Sequence, residues 1–143
     1  MSIPIEPADG ARHRARGLSE AASDRILALA PHLKPSERAL IEQVYAQGLP
    51  VSEVARAAGV SRKQLNRRLS RILRRIRQPR FRFVATRREL LPRQVAAVAR
   101  HVVLEGRTLR ETAALTGQSL HRVRQHMQTI DNYQRLVGQQ SSG

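Results

Sequence analysis

The sequence predicts an all-α protein made of two tandem helix-turn-helix units, each of three helices, joined by an Arg-rich linker. Three observations lead to this fold class. Aromatic residues make up only 3% of the 143 residues and Trp is missing, so the core must consist of Leu, Val, Ile and Ala, which favours helices over sheets. Apolar residues recur at helical spacing. A segment of 40 residues also occurs twice.

The first unit begins with two short helices. We expect the first of them to open at Pro35 or Ser36 and to end near Gly48, where a left-handed C-terminal cap is needed. The second begins at about Pro50 and ends at Gly59, because glycine carries no Cβ penalty at positive φ in the tight turn that follows.

The third helix of this unit has one apolar and one basic face. Ser61 is expected to cap it through the side-chain hydroxyl. The apolar residues fall at i, i+4, i+7, i+8 and i+11, and they are Leu65, Leu69, Ile72, Leu73 and Ile76. The opposite face carries Arg62, Lys63, Asn66, Arg67, Ser70, Arg71, Arg74 and Arg77.

The net charge of +15 is concentrated around this helix. Between Glu53 and Glu89 the chain has thirteen basic residues and no acidic residue. If this run were only a solvated face, its positive charges would repel one another without compensation. A field of this kind attracts a polyanion.

An internal repeat predicts the second unit. A shift of 58 residues aligns residues 33–72 with 91–130, and the identities are Leu33/Leu91, Ala39/Ala97, Val44/Val102, Gly48/Gly106, Glu53/Glu111, Ala55/Ala113, Gly59/Gly117, Ser61/Ser119 and Ile72/Ile130. Thr108 and Glu111 predict a capping box at the second helix of this copy. Gly117 is expected to make the turn and Ser119 to cap the last helix.

Both copies contain the pattern E-x-A-x-x-x-G-x-S, which is typical of two helices joined by a short glycine turn. The first copy resembles region four of bacterial sigma factors over about 45 residues. The resemblance is carried by Leu33, Pro35 and Arg38, by Glu53-Val54-Ala55, by Gly59-Val60-Ser61 and by the basic tail. It implies a module that contacts promoter DNA and RNA polymerase. The second copy is similar to helix-turn-helix domains of bacterial and plasmid regulators.

A helix-turn-helix places the start of its third helix near base edges, while later residues contact phosphate. In the first unit we assign Arg62, Lys63, Asn66 and Arg67 to base edges, with Gln64 as a weaker candidate, and Arg71, Arg74, Arg75 and Arg77 to phosphate. The corresponding base-reading residues of the second unit are His121, Arg122, Arg124 and Gln125. That unit could also be structural or contact a protein.

The expected domain order is a disordered tail (1–17), the first unit (18–78), a basic linker (79–90), the second unit (91–137) and a disordered tail (138–143). An extended segment from Gln78 to Leu91 would reach about 45 Å, enough for helices in successive major grooves. Arg80, Arg82, Arg87 and Arg88 would then follow the DNA backbone or enter the minor groove between the two sites. Phe81 and Phe83 are expected to pack as core between the units.

Several classes of function lack support in the sequence. The chain has no Cys, which excludes disulfides, thiolate metal sites and a cysteine nucleophile. Its five His residues form no metal-ligand pattern, and no nucleophile or phosphate-loop motif is present. We therefore expect no enzyme activity, no cofactor and no metal. The chain also has no secretory leader and no apolar run of membrane-spanning length, so no membrane partner is expected.

The leading hypothesis is a cytoplasmic, nucleoid-associated transcription regulator that binds double-stranded DNA sequence-specifically, as a monomer or a weak homodimer. One alternative is a sigma-like adaptor that binds RNA polymerase and touches DNA only weakly. Another is a nucleoid or RNA-binding protein that contacts the nucleic-acid backbone alone.

Overall fold

The computed structural model describes residues 19–142, with side chains described to Gln139. The predicted all-α fold is confirmed, since this part of the chain contains no strand. Its eight α-helices are α1 (Glu20–Leu29), α2 (Pro35–Ile41), α3 (Val51–Ala58), α4 (Arg62–Arg77), α5 (Pro79–Arg87), α6 (Arg93–Val98), α7 (Leu109–Thr116) and α8 (Leu120–Ser142). None of these helices has the length and apolar character needed to cross a membrane.

The helices form two compact units, unit 1 ending at Arg74 and unit 2 beginning at Arg75. The boundary lies four residues before the expected one at residue 78 and falls inside α4. The last turn of α4 is therefore part of unit 2. The expected tail at residues 1–17 lies outside the described residues.

Unit 1 contains one helix that the sequence analysis did not identify. Ser19 caps α1, because its Oγ accepts a hydrogen bond from the Ala22 N–H at 3.1 Å. The buried apolar residues of unit 1 come from all four of its helices, and those in the helices include Ile26, Leu40, Ile41, Val54, Leu65, Leu69 and Ile72. The predicted apolar stripe of α4 is thus part of a core.

The two units repeat the same local backbone. The four glycines paired by the 58-residue shift all have positive φ, at 69° for Gly48 and Gly106, 71° for Gly59 and 72° for Gly117. Only glycine adopts this conformation without a Cβ penalty. In both copies the first helix also ends in a π-helical segment, Glu42–Ala46 after α2 and Ala99–Leu104 after α6. The sequence analysis did not predict these π segments.

The segment expected to be an extended linker is helical, which is a correction. Pro79 occupies the first position of α5, where its fixed φ suits a helix and its missing N–H has no consequence. Phe81, Phe83 and Val84 are 0%, 7% and 1% exposed, so burial of this apolar stripe stabilises the helix. A helix rises about 1.5 Å per residue, so the argument from an extended reach of about 45 Å no longer applies.

The C-terminal end also differs from expectation. We expected a disordered tail from residue 138, whereas α8 continues through Ser142. Gln139 and Gln140 are compatible with a helix, and Pro is absent between Leu120 and Ser142.

Candidate nucleic-acid interface

The turn between α3 and α4 determines where the basic helix begins. Gly59, in the left-handed conformation, ends α3, and Ser61 starts the next helix. The Gln64 N–H donates to Ser61 Oγ at 3.1 Å, while the Ser61 N–H donates to Gln64 Oε1 at 2.9 Å. This reciprocal pair is a capping box of the S-x-x-Q kind.

The capping box corrects one assignment. We expected Gln64 to be a weaker candidate for contact with base edges. Its amide oxygen instead accepts the bond from Ser61 N–H and fixes the first turn of α4. We therefore remove Gln64 from the base-reading set, and the remaining candidates in that turn are Arg62 and Lys63.

The two faces of α4 differ as the periodicity predicts. Leu65, Leu69 and Ile72 are 2%, 3% and 1% exposed. The candidate DNA-contact residues on the other face are all exposed, and they are Arg62, Lys63, Asn66, Arg67, Arg71, Arg74 and Arg77. Helix α4 therefore presents a continuous basic surface without acidic residues. We call these seven residues the basic face.

Comparison with known proteins identifies this segment. Residues 30–78 match the family model of Sigma-70, region 4. The match covers about a third of the chain and includes α2, α3 and α4. The segment thus contains a DNA-binding helix-turn-helix of a type used in transcription, as the resemblance implied. Neither the curated proteins nor the solved structures gave a match to the chain.

Arg75 lies just outside the basic face, although it falls within the region 4 match. We had assigned its guanidinium to a DNA phosphate. In the structure Nη2 donates to the carbonyl oxygen of Leu104 at 3.2 Å, within unit 2. The carbonyl belongs to the end of the π segment Ala99–Leu104, so the bond satisfies a helix-terminal acceptor. Arg75 is therefore corrected from a phosphate contact to a structural residue.

Arg80 is a third correction. Its Nε and Nη2 donate to Oδ1 and Oδ2 of Asp131 at 2.9 and 3.0 Å, a bidentate ion pair between α5 and α8. Each side chain is 35% exposed. Arg82, two residues later, is fully on the exposed side of α5 and stays a candidate for DNA contact.

Unit 2 repeats the cap and turn geometry of unit 1. The Thr108 N–H donates to Glu111 Oε1 at 2.8 Å and the Glu111 N–H to Thr108 Oγ1 at 3.0 Å, which confirms the capping box of α7. The Arg122 N–H donates to Ser119 Oγ at 3.1 Å, which caps α8. All four candidate base-reading residues of α8 are exposed: His121, Arg122, Arg124 and Gln125.

An ionic cluster lies at the end of the π segment in unit 2. Glu105 Oε1 accepts a hydrogen bond from Arg107 Nε at 2.8 Å and lies 3.1 Å from His101 Nδ1. Burial by itself would raise the pKa of Glu105, but the hydrogen bonds and positive charges of Arg107 and His101 outweigh it and hold this pKa below 4.5. Glu105 is thus an anion paired with Arg107 and His101 within unit 2.

His126 lies on the inner side of α8. Burial lowers the pKa of His126, and the positive charge of Arg122 lowers it further. Its Nε2 is buried without a hydrogen-bond partner among the described residues. No group of three or more His, Asp or Glu side chains in residues 19–142 is arranged to hold a metal ion.

Proposed function

We propose that the protein is a transcription regulator that binds double-stranded DNA sequence-specifically, with α4 in the major groove. The observation that carries this proposal is the basic face of α4. Its cations are exposed along a helix whose other side is buried, and the helix follows a glycine turn and a serine cap. We propose that α8 is the recognition helix of unit 2.

The roles along α4 follow from the distance to its N-terminus. Arg62, Lys63, Asn66 and Arg67 lie in the first two turns, which approach base edges in a helix-turn-helix. Arg71, Arg74 and Arg77 lie further along and contact phosphates. A bidentate contact from Arg to guanine or from Asn to adenine discriminates by about 1–3 kcal/mol.

The test compares a selected duplex with random duplexes at fixed salt. The protein is expected to prefer the selected duplex, and Arg62→Ala or Asn66→Ala to reduce that preference. Arg71→Ala is the matched control on the same exposed face, and it should weaken all duplexes alike. Equal affinity of the unmodified protein for selected and random duplexes would instead identify a nucleoid or RNA-binding protein that contacts the backbone alone.

One observation favours a second candidate function. The matched family is region 4 of Sigma-70, which makes RNA polymerase a candidate partner of unit 1. In that case the protein is an adaptor that recruits polymerase and touches DNA weakly. A variant with Arg62, Lys63, Asn66 and Arg67 all changed to Ala would then still capture purified RNA polymerase. Loss of DNA binding without polymerase capture by either form would exclude the adaptor.

A further inference from the structure

The two recognition helices present their base-reading side chains in opposite order. The 58-residue shift pairs Asn66 with Arg124 and Arg67 with Gln125. All four side chains are exposed. Unit 1 therefore offers an amide followed by a guanidinium, whereas unit 2 offers a guanidinium followed by an amide.

The paired side chains leave equivalent points of equivalent helices. The turns before α4 and α8 contain glycines with φ of 71° and 72°. The serine caps are also alike, because Ser61 Oγ and Ser119 Oγ each accept a backbone N–H at 3.1 Å. The difference between the units thus lies in side-chain chemistry and not in local backbone geometry.

Amide and guanidinium groups prefer different bases. Asn and Gln make paired hydrogen bonds to adenine N6 and N7, and Arg makes them to guanine O6 and N7. We propose that the two units read unlike half-sites, a half-site being the DNA segment under one unit, in which the adenine and guanine preferences exchange order. This inference rests on the proposed function and identifies its DNA target as non-palindromic.

Neighbouring positions strengthen the difference. Arg62 of unit 1 is paired with Leu120 of unit 2, which is partly exposed at the first position of α8. A guanidinium binds guanine, whereas an apolar side chain contacts the methyl group of thymine. The side chain of Gln64 accepts a hydrogen bond in the capping box of α4. Its counterpart Arg122 has no acceptor atom, so its side chain cannot make the equivalent bond.

The charge distribution supports DNA as the ligand of unit 2. Three of its four acidic residues, Glu105, Glu111 and Asp131, accept hydrogen bonds from groups within the unit, and the fourth, Glu89, lies 3.9 Å from Arg87 Nε. Arg122 and Arg124 are exposed in the first two turns of α8, so their positive charges can attract a polyanion. Further along, however, the counterparts of Arg71 and Arg74 are Thr129 and Asn132. Unit 2 therefore adds base preference and few phosphate contacts.

The experiment is selection of bound duplexes from a random pool by the full chain and by two variants. For the unmodified protein we expect two unlike enriched half-sites. The double variant Asn66→Arg/Arg67→Gln should give unit 1 the base order of unit 2, so the two half-sites become alike at these positions. The reciprocal variant Arg124→Asn/Gln125→Arg should convert the other half-site. Each exchanged contact should change discrimination about 5- to 150-fold.

The outcomes separate this inference from the proposed function. If the unmodified protein enriches no sequence, the proposed function itself fails. If it enriches one half-site that Arg124→Asn/Gln125→Arg leaves unchanged, unit 2 does not read bases and the inference is overturned while unit 1 keeps its function. Two identical half-sites would overturn it as well. All four side chains are exposed, so circular dichroism should show unchanged helix content in both variants.

Discussion

Arg75 Nη2 donates a hydrogen bond to the carbonyl oxygen of Leu104 at 3.2 Å, across 29 residues of sequence. The bond attaches Arg75 of α4 to unit 2, while Arg71 and Arg74 of the same helix are exposed. Adjacent arginines of one helix therefore have different surroundings, and we expect substitution to separate their roles.

Arg75→Ala should lower stability and leave the salt dependence of DNA binding unchanged. The variant leaves a helix-terminal carbonyl without its donor, which costs about 1–3 kcal/mol. Arg71→Ala should do the reverse, with little change in stability and a salt slope lower by about 1. Urea unfolding and binding titrations from low to high salt measure both quantities. If Arg75→Ala reduced the slope as Arg71→Ala does, Arg75 would be a phosphate contact after all.

Gly106→Ala should destabilise the protein more than Gly117→Ala. The two glycines have φ of 69° and 72°, so each alanine carries a similar backbone penalty of about 1–2 kcal/mol. A Cβ at Gly106 would also overlap the Arg75 guanidinium, whereas a Cβ at Gly117 meets open space. The excess penalty should disappear in an Arg75→Ala background. Equal unfolding free energies for the two single variants would contradict the packing of Arg75 on Gly106.

Arg80→Ala is expected to lower the stability of the fold, whereas Arg82→Ala is expected to lower the affinity for DNA. Loss of Arg80 removes the bidentate partner of Asp131 and should lower the free energy of unfolding by about 0.5–1 kcal/mol, because both side chains are 35% exposed and water screens the pair. Arg82 is exposed, so its loss should leave stability within about 0.5 kcal/mol and reduce DNA affinity if it contacts the backbone. Thermal unfolding and DNA titration of both variants decide the matter. Equal stability of the two would argue against the ion pair.

Gln64→Ala should weaken α4 without altering base preference. The change removes the acceptor of the Ser61 N–H and should cost about 0.5–1 kcal/mol. Gln64→Glu keeps an acceptor at the same place and should retain stability, which makes it the matched control. Relaxed preference at one base pair in Gln64→Ala, with no loss in thermal stability, would return Gln64 to the base-reading set.

Glu105→Gln should destabilise the protein at neutral pH but not in acid. The pKa of Glu105 is lower in the folded protein than its ordinary value of 4.5, so the ionised form contributes stability that is fully present above 4.5. That contribution is lost as the pH falls through the folded pKa. The difference in melting temperature between the two proteins should therefore be present at pH 7 and shrink below pH 4. A difference that is constant across this range would show that the charge is not involved.

The sequence by itself determined the local features of this protein. The capping serines, the glycine turns and the two-faced pattern of α4 all depend on residues within a few positions of each other, and the 58-residue repeat shows the same local pattern twice. Steric limits on φ, cap hydrogen bonds and helical periodicity act over that same short range. The all-α class and the helix-turn-helix of residues 30–78 followed from them.

The tertiary structure alone decided which arginines have intramolecular partners and that the expected linker is helical. Arg75 bonds to Leu104 and Arg80 to Asp131, 29 and 51 residues away, and no local pattern contains those partners. Residues 79–87 form a helix because Phe81 and Val84 are buried in the core, and burial depends on tertiary packing. Charge and spacing locate a basic surface, but only contacts between distant segments determine which of its members face solvent.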